Sequence, residues 1–489
     1  MTAEAVLASP EAISRYQPVI GLEVHVQLAT ETKIFCGCPT SFGAPPNSNV
    51  CPVCLGMPGA LPVLSKRAVE LAMRAALALH CRINPVSVFA RKNYFYPDSP
   101  KGYQISQFDQ PLAEHGYLDI QVAGATKRIG VTRVHMEDDA GKSVHEGFRD
   151  SDKYSYVDLN RCGMPLIEIV SEPDMRSADE AHAYLSELKQ VIQFVESSTC
   201  DMEKGHLRCD ANVSVMLRGA EKFGTRAEVK NLNSFRFLKQ AVDYEIARQV
   251  AIVESGGRIH QETRLFNSSE GITVSMRSKE DAHDYRYFPE PDLVPLRISE
   301  AWQLGVRSQL PELPQQKRER FTGEYGLRES DADVLTSSRD LSDYFERAAI
   351  ASGDPKTAAN WVMGDLLGAL KGADIHTSPI SAEALGELVA LIKKGDISGK
   401  LAKEIFPKMF ESGQNAVFIM ERDGLKQISD TGALEKIVDE VLAQNPKQVE
   451  QYRAGKTTVA AFLVGQVMKA SRGQANPAAV GDLIKVRLM

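Results

Sequence analysis

Val19-Ile-Gly-Leu-Glu-Val-His-Val-Gln-Leu28 is the stretch whose reading decides the fold. Its apolar and polar side chains alternate with period two, as in a strand covered on one side. Leu22, Val24, Val26 and Leu28 take one face; Glu23, His25 and Gln27 take the other. The pattern recurs along the first half of the chain. In residues 131–139, Arg133, His135 and Glu137 share a face, with Asp138 and Asp139 at the strand end. Glu168 is the sole charge in the apolar run 165–170. Arg208, Asp210, Asn212 and Ser214 alternate with Cys209, Ala211, Val213 and Val215, and charges alternate again through Glu228 and Lys230. A solvated sheet face usually carries Thr, Lys and Glu. This one carries several carboxylates, two His, an Arg and an Asn. A lone charge in an apolar strand needs a partner. Carboxylates with an imidazole suit Mg²⁺ or Mn²⁺, and Arg208, Lys230 and Arg133 can face phosphate oxygens. Spacing alone leaves two readings open: the solvent face of a half-covered sheet, or a carboxylate-lined metal–phosphate site.

Outward from these strands, helical periodicity marks 66–79, 177–195 and 235–254. Strands and helices do not alternate regularly, which favours an α+β domain built on an antiparallel sheet. Three prolines within Pro289-Glu-Pro-Asp-Leu-Val-Pro295 prevent regular structure and mark a boundary. Beyond it the pattern is almost wholly helical, with Asp, Ser, Thr or Pro near many helix starts. The expected domains are 1–295, 296–407 and 408–489.

The chain has 489 residues, 43% of them apolar and 25% charged, with a net charge of −7. That is ordinary globular composition and excludes a disordered or fibrous chain. The longest apolar stretch, 459–468, is too short to span a bilayer. The first residues carry neither a basic n-region nor an Arg-rich presequence. A cytoplasmic location is expected. A mildly acidic total argues against non-specific coating of nucleic acid but leaves room for a local basic patch. From 443 onward there are seven Lys or Arg and two acids. Lys456, Lys469 and Arg472 are the candidates there for contacts to RNA phosphates.

Cys36-x-Cys38-x12-Cys51-x2-Cys54 places four of the eight cysteines within 19 residues. Two close pairs joined by a short loop can bring four thiolates into one tetrahedron around a structural Zn²⁺. Residues 91–110 mix aromatics, Lys and amides in an expected binding loop. The chain has no Walker phosphate loop, no Gly-x-Gly-x-x-Gly fingerprint and no Gly-x-Ser-x-Gly elbow. A nucleotide would therefore be held from a sheet face.

Several long motifs carry a family resemblance. They are Val19–Gln27, Arg91-Lys-Asn-Tyr-Phe-Tyr-Pro-Asp98, Tyr103-Gln-Ile-Ser-Gln-Phe-Asp109 and His135-Met-Glu-Asp-Asp-Ala-Gly-Lys142. Leu207-Arg-Cys-Asp-Ala-Asn212, Lys230-Asn-Leu-Asn-Ser234, Asp284-Tyr-Arg-Tyr-Phe-Pro-Glu-Pro291 and Gly465-Gln-Val-Met-Lys-Ala-Ser-Arg-Gly-Gln-Ala-Asn-Pro477 extend it. Over essentially its whole length the chain resembles the B subunits of the bacterial tRNA-dependent amidotransferases. The resemblance implies a glutamine-synthetase-like cradle followed by a helical domain and a helical, tRNA-binding tail. It implies a heterotrimer with a glutaminase A subunit and a small C subunit, acting on Glu-tRNA(Gln), Asp-tRNA(Asn) or both. The B subunit is then expected to phosphorylate the side-chain carboxylate with ATP and Mg²⁺, and to amidate it with ammonia from the A subunit. Carried over residue by residue, Glu23, His25 and Glu168 match catalytic metal ligands. Asp138 stands where some relatives have Glu, and adjacent Glu137 shares the expected ligand role. Lys92, Tyr94, Arg208, Asp210, Asn212, Glu228 and Lys230 are the expected nucleotide or substrate contacts. Two other readings compete: a non-catalytic, zinc-containing tRNA-binding scaffold, and a free-standing small-molecule amide ligase.

Overall fold

The computed structural model describes residues 7–147, 149–278, 285–424, 431–454, 456–471, 475 and 477–488. Chain contacts divide it between Leu313 and Pro314.

The first unit is built on a nine-stranded sheet. Its order is Ile272–Ser278, Glu262–Asn267, Ala227–Lys230, Leu207–Leu217, Tyr16–Gln27, Pro165–Ser171, Ala125–Asp138, Ala113–Val122 and Arg82–Ile83. The opening strand therefore lies at the centre, where each neighbour fixes its register. Every pair is antiparallel except Ala227–Lys230 with Glu262–Asn267. A parallel pair needs a long crossover, and the helix Phe235–Glu254 supplies it. The expected antiparallel sheet is thus a mixed one with a single parallel pair.

The helices Lys66–Ala78, Ala178–Phe194 and Phe235–Glu254 start on Ser65, Ser177 and Ser234, whose side chains accept from the third N–H beyond them. Their buried residues share one hydrophobic cluster with Leu22, Val24, Val26, Ile167, Ile169 and Val134. One sheet face is consequently sealed, and the charged side chains belong to the other.

A small sheet joins Phe288–Pro289, Phe89–Asn93 and Tyr103–Gln107 in that order. Residues 91–110, expected as a loop, are in large part a strand pair. The first unit also extends beyond the proline-rich segment at 289–295. Helix Glu300–Arg307 buries Val306 in the same core, with Trp302, Leu310 and Leu313 packed against it, so the division falls after 313.

The second unit is helical. One apolar cluster runs from Phe321 to Met420, and another from Leu434 to Leu488. Helix Gly399–Ser412 passes continuously through residue 407, and the described change of cluster lies after Met420. Helix Pro314–Gly323 has little apolar periodicity and is not evident in the sequence. Buried Lys317 anchors it, its Nζ 2.5 Å from an Asp343 oxygen and 3.2 Å from Glu346. Among the described residues no helix is long and apolar enough to cross a membrane.

Candidate functional site

Strand register assembles the site. Arg208 lies opposite His25, His25 opposite Glu168, and Glu168 opposite His135. Cross-strand partners share a face. Four strands thus set Arg208, His25, Glu168 and His135 in one row. His25 Nε2 is 3.3 Å from Glu168 Oε2, as is His135 Nε2. Glu137, two residues from His135 on the same face, closes the group, its Oε1 3.6 Å from His25 Nε2. His135, Glu137 and Glu168 are all buried.

Burial opposes charge on every member, yet the group holds itself ionised. Glu168 is kept well below the usual carboxylate range by His135 and His25, against its burial. Glu137 is lowered by the same two rings against its own burial. His135 is disfavoured as a cation by burial, but Glu168 and Glu137 push it up to about 9. Two carboxylates and two imidazoles thus face one another, and Glu168 and Glu137 also raise the pKa of His25 against its burial. His25, Glu137 and Glu168 each offer a ligand atom, and these atoms lie within 4.8 Å of one another. Two carboxylates and an imidazole are the donor set of a hard divalent cation such as Mg²⁺. Buried His135 Nδ1 has no hydrogen-bond partner among the described residues. The donor set of His25, Glu137 and Glu168 fits such a cation.

The other expected residues divide among three places. Glu23 lies one strand step from His25 and accepts a 2.8 Å bond from Asn212 Nδ2. Beside it, Lys230 Nζ is 2.5 Å from Asp210 and 2.9 Å from Glu228. Glu23, Asp210, Asn212, Glu228 and Lys230 thus form a second polar patch on the same face, outside the three-donor group. Arg208 bridges towards Asp139 at 2.8 Å. Lys92 has no carboxylate within 4 Å among the described residues; its Nζ stands 5.0 Å over the Tyr285 ring. Burial disfavours its charge, while Glu137 raises its pKa.

Asp138 does not join the three-donor group. Strand alternation turns it away from Glu137, where it meets the Lys101 ammonium and accepts a 2.8 Å bond from the Ile105 N–H. Tyr94 lines a cleft with Ser99, Lys101, Asp138 and Cys162, on that same side. Lys101 and His135 are the residues the sequence reading left out of the site. The period-two alignment of His135 with Arg133 and Glu137 is its signal; that of Lys101 is only its place in the expected binding loop at 91–110.

The four clustered cysteines lie together, with Sγ atoms within 4.8 Å of one another and Cys51 Sγ 3.9 Å from Cys54 Sγ. Zn–S bonds of about 2.3 Å in a tetrahedron require S–S distances near 3.8 Å. Cys54 Sγ also accepts from the Cys51 N–H at 3.1 Å and faces the buried Lys33 ammonium at 3.7 Å. Thiol hydrogen bonding from Cys36 lowers the pKa of Cys54 and raises that of Cys36. This donor set and its adjacent cation fit Zn²⁺. Gly163, with φ +79°, lets the turn before the Glu168 strand pack against Cys54 and Lys33. The cysteine loop thereby braces that turn.

In the second unit, Lys456 and Lys469 are exposed; Arg472 lies outside the described residues. Arg487 is paired with Glu435 at 3.1 Å and Asp439 at 3.0 Å, so the basic excess is partly neutralised locally.

Comparison with known proteins gives the chain's family. Residues 18–303 match the family described as the GatB/GatE catalytic domain, and residues 343–488 match the GatB domain. The B subunit of the aspartyl/glutamyl-tRNA(Asn/Gln) amidotransferase from Geotalea uraniireducens is 59% identical over 476 residues, covering 97% of this chain and 99% of the relative. The proteins of the same name from Trichlorobacter lovleyi and Persephonella marina are 58% and 55% identical, with coverage of 97% and 96% of this chain and 99% of each relative.

Proposed function

The chain belongs to the family of aspartyl/glutamyl-tRNA(Asn/Gln) amidotransferase B subunits, and from that membership we propose that its sheet face activates a tRNA-borne carboxylate with ATP for amidation. The partners in this reading are a glutaminase A subunit and a C subunit. The substrates are Glu-tRNA(Gln), Asp-tRNA(Asn) or both, and the compartment is the cytoplasm.

The observation that carries the reading is the row of half-buried His25 with buried Glu168 and His135, and buried Glu137 beside it. A carboxylate is a poor electrophile because its leaving group would be oxide. Transfer of a phosphoryl group to it creates an acyl phosphate that ammonia can attack. Such transfer needs positioning and charge neutralisation more than covalent help. His25, Glu137 and Glu168 would hold Mg²⁺, which when bound neutralises phosphate charge. Arg208 and Lys92 supply further positive charge at the margin of the row, and Lys230 does so over the neighbouring patch. The rigid sheet holds all of them in fixed relation.

The test is reconstitution with A and C subunits and assay of ATP-dependent amidation on both misacylated tRNAs. The expected outcome is amidation that requires ATP and Mg²⁺. For the scaffold reading, the exposed Lys456 and Lys469 are the pertinent residues. It predicts that Glu168→Ala leaves amidation intact while removal of 408–489 abolishes it. The catalytic reading predicts the loss of amidation in Glu168→Ala with tRNA binding retained.

A further inference from the structure

The small sheet of Phe288–Pro289, Phe89–Asn93 and Tyr103–Gln107 carries a feature that the phosphoryl-transfer chemistry does not use. Its two faces are sorted by alternation. Arg91, Tyr103 and Phe288 share one face, where the Arg91 guanidinium lies 4.2 Å from the Tyr103 ring and 5.8 Å from the Phe288 ring. Lys92 is registered opposite Gln104 and Ala90 opposite Ser106 on the other face. Tyr287 precedes Phe288 and so falls on this second face. That face meets the metal-ligand group: Ser106 Oγ donates to Glu137 Oε2 at 3.3 Å, and Gln104 Nε2 donates to the Asp138 carbonyl at 2.8 Å.

Just past the end of strand Tyr103–Gln107 stands Phe108. Its ring is stacked on that of Tyr287, with centroids 4.2 Å apart and planes 9° from parallel. Tyr285 packs edge-on to Tyr287 at 6.1 Å, and the Lys92 ammonium stands over Tyr285. Phe108 is nonetheless 54% exposed. One face of the phenyl ring is backed by Tyr287, which lies within electrostatic reach of Lys92, Glu137 and Glu168, and more than half of the residue is open to solvent. Burial of apolar area does not explain that position. A π surface held rigid from behind is what a nucleobase stacks on.

We propose that Phe108, backed by Tyr287, is the platform for the terminal base of the aminoacylated RNA. The proposal rests on the function proposed above. About eight or nine covalent bonds separate the side-chain carboxylate of an aminoacyl ester from the terminal base, a reach of roughly 10 Å at most. When the carboxylate is presented to the row of His25, Glu137 and Glu168, the last nucleobase must lie close by. The stacked pair stands there, with the Lys92 ammonium available to the adjoining phosphate. Phe108 is a positioning residue in this scheme and touches none of the reacting atoms. ATP carries the same kind of base, so the shared chemistry is stacking of an adenine, and the test separates the two sources.

The experiment uses the reconstituted complex of A, B and C subunits. Phe108→Ala raises KM for the misacylated tRNA about fivefold to a hundredfold, with KM for ATP unchanged within about twofold. Phe108→Tyr restores the wild-type KM, and Phe108→Leu, which keeps bulk without a π face, does not. A tRNA acceptor oligonucleotide with 2-aminopurine as its last base gives a direct readout: its fluorescence is quenched by the wild-type complex and not by the alanine variant. An unchanged KM for tRNA in Phe108→Ala, rescue by leucine, or a shift in KM for ATP instead would overturn the assignment. If the wild-type complex fails to amidate while the 2-aminopurine quench still depends on Phe108, the function proposed above falls and the platform stands.

Discussion

Two regions of the first unit gather side chains that could hold a metal ion, and they do so by opposite means. His25, Glu137 and Glu168 lie on three neighbouring strands, and the ladder registers that juxtapose them involve backbone groups alone. Cys36, Cys38, Cys51 and Cys54 lie between the opening strand and helix Lys66–Ala78, in a stretch of turns with one isolated bridge, Thr32 to Pro39. Where hydrogen-bond ladders fix the donors, a cation finds a site already made. Where no ladder exists, the metal must supply the cross-link that makes the site. The same difference sets coordination. Four thiolates close a zinc shell and leave it structural, whereas three donors on a sheet leave positions for substrate oxygens.

The largest expected effect tests the loop. Purified protein is expected to contain about one zinc per chain, whose binding free energy is on the order of 10 kcal/mol or more. Cys51→Ser or chelation should raise hydrogen exchange across 33–63, while strands Tyr16–Gln27 and Pro165–Ser171 remain protected. Mass-spectrometric exchange measures this directly. Equal protection of the loop with and without metal would break the comparison, because the loop would then be as preformed as the sheet.

The next effect tests the sheet. Glu168→Gln keeps the shape of the row and removes one carboxylate. ATP-coupled amidation should fall at least about a hundredfold, while circular dichroism and thermal unfolding stay close to wild type. An unfolded variant would mean that the ion pairs, rather than the ladders, hold the row. The two sites would then both be made by their own charges.

Legibility in the sequence follows the same divide. Period-two alternation made the polar face readable, because a strand's side-chain direction is a local property. Which polar residues meet is not local. Glu23 and His25 are equivalent by alternation, and only pairing with strands some 140 and 180 residues away puts His25, not Glu23, opposite Glu168 and Arg208. Glu137 and Asp138 are adjacent in the chain and were interchangeable as ligands until the strand turned one towards His25 and the other towards Lys101. In residues 91–110 the turn residues Pro97, Pro100 and Gly102 masked two short strands, and with them the face that carries Phe108. The cysteine spacing was legible outright, since a loop ligand set is written in consecutive residues. The parallel strand pair was not, because pairing direction depends on the path of the Phe235–Glu254 crossover.

The smallest effect compares the clustered thiols with the other four. Burial pushes the thiols of Cys81, Cys162 and Cys200 each up to about 12, and raises that of Cys209 well above its ordinary value. At pH 8 their thiolate fraction is small, and none is expected to react with a disulfide reagent in the folded protein. The metal-site thiols should react once zinc is withdrawn, giving four fast thiols and four that appear only on unfolding. The pH dependence follows from the same shifts. Cys81, Cys162 and Cys200 ionise near 9 in the unfolded chain and at about 12 in the folded one, so between those values the folded state binds more protons. Stability is therefore complete below about pH 9 and declines as pH rises towards 12, by roughly 1 kcal/mol per thiol for each unit in that window. Urea midpoints at pH 8 and pH 10, taken on zinc-loaded protein and on the Cys81→Ala variant, isolate one thiol's share. If the variant lost as much stability as wild type over that interval, the alkaline loss would arise elsewhere. The division of the eight cysteines into metal-made and core-held groups would then rest on reagent access alone.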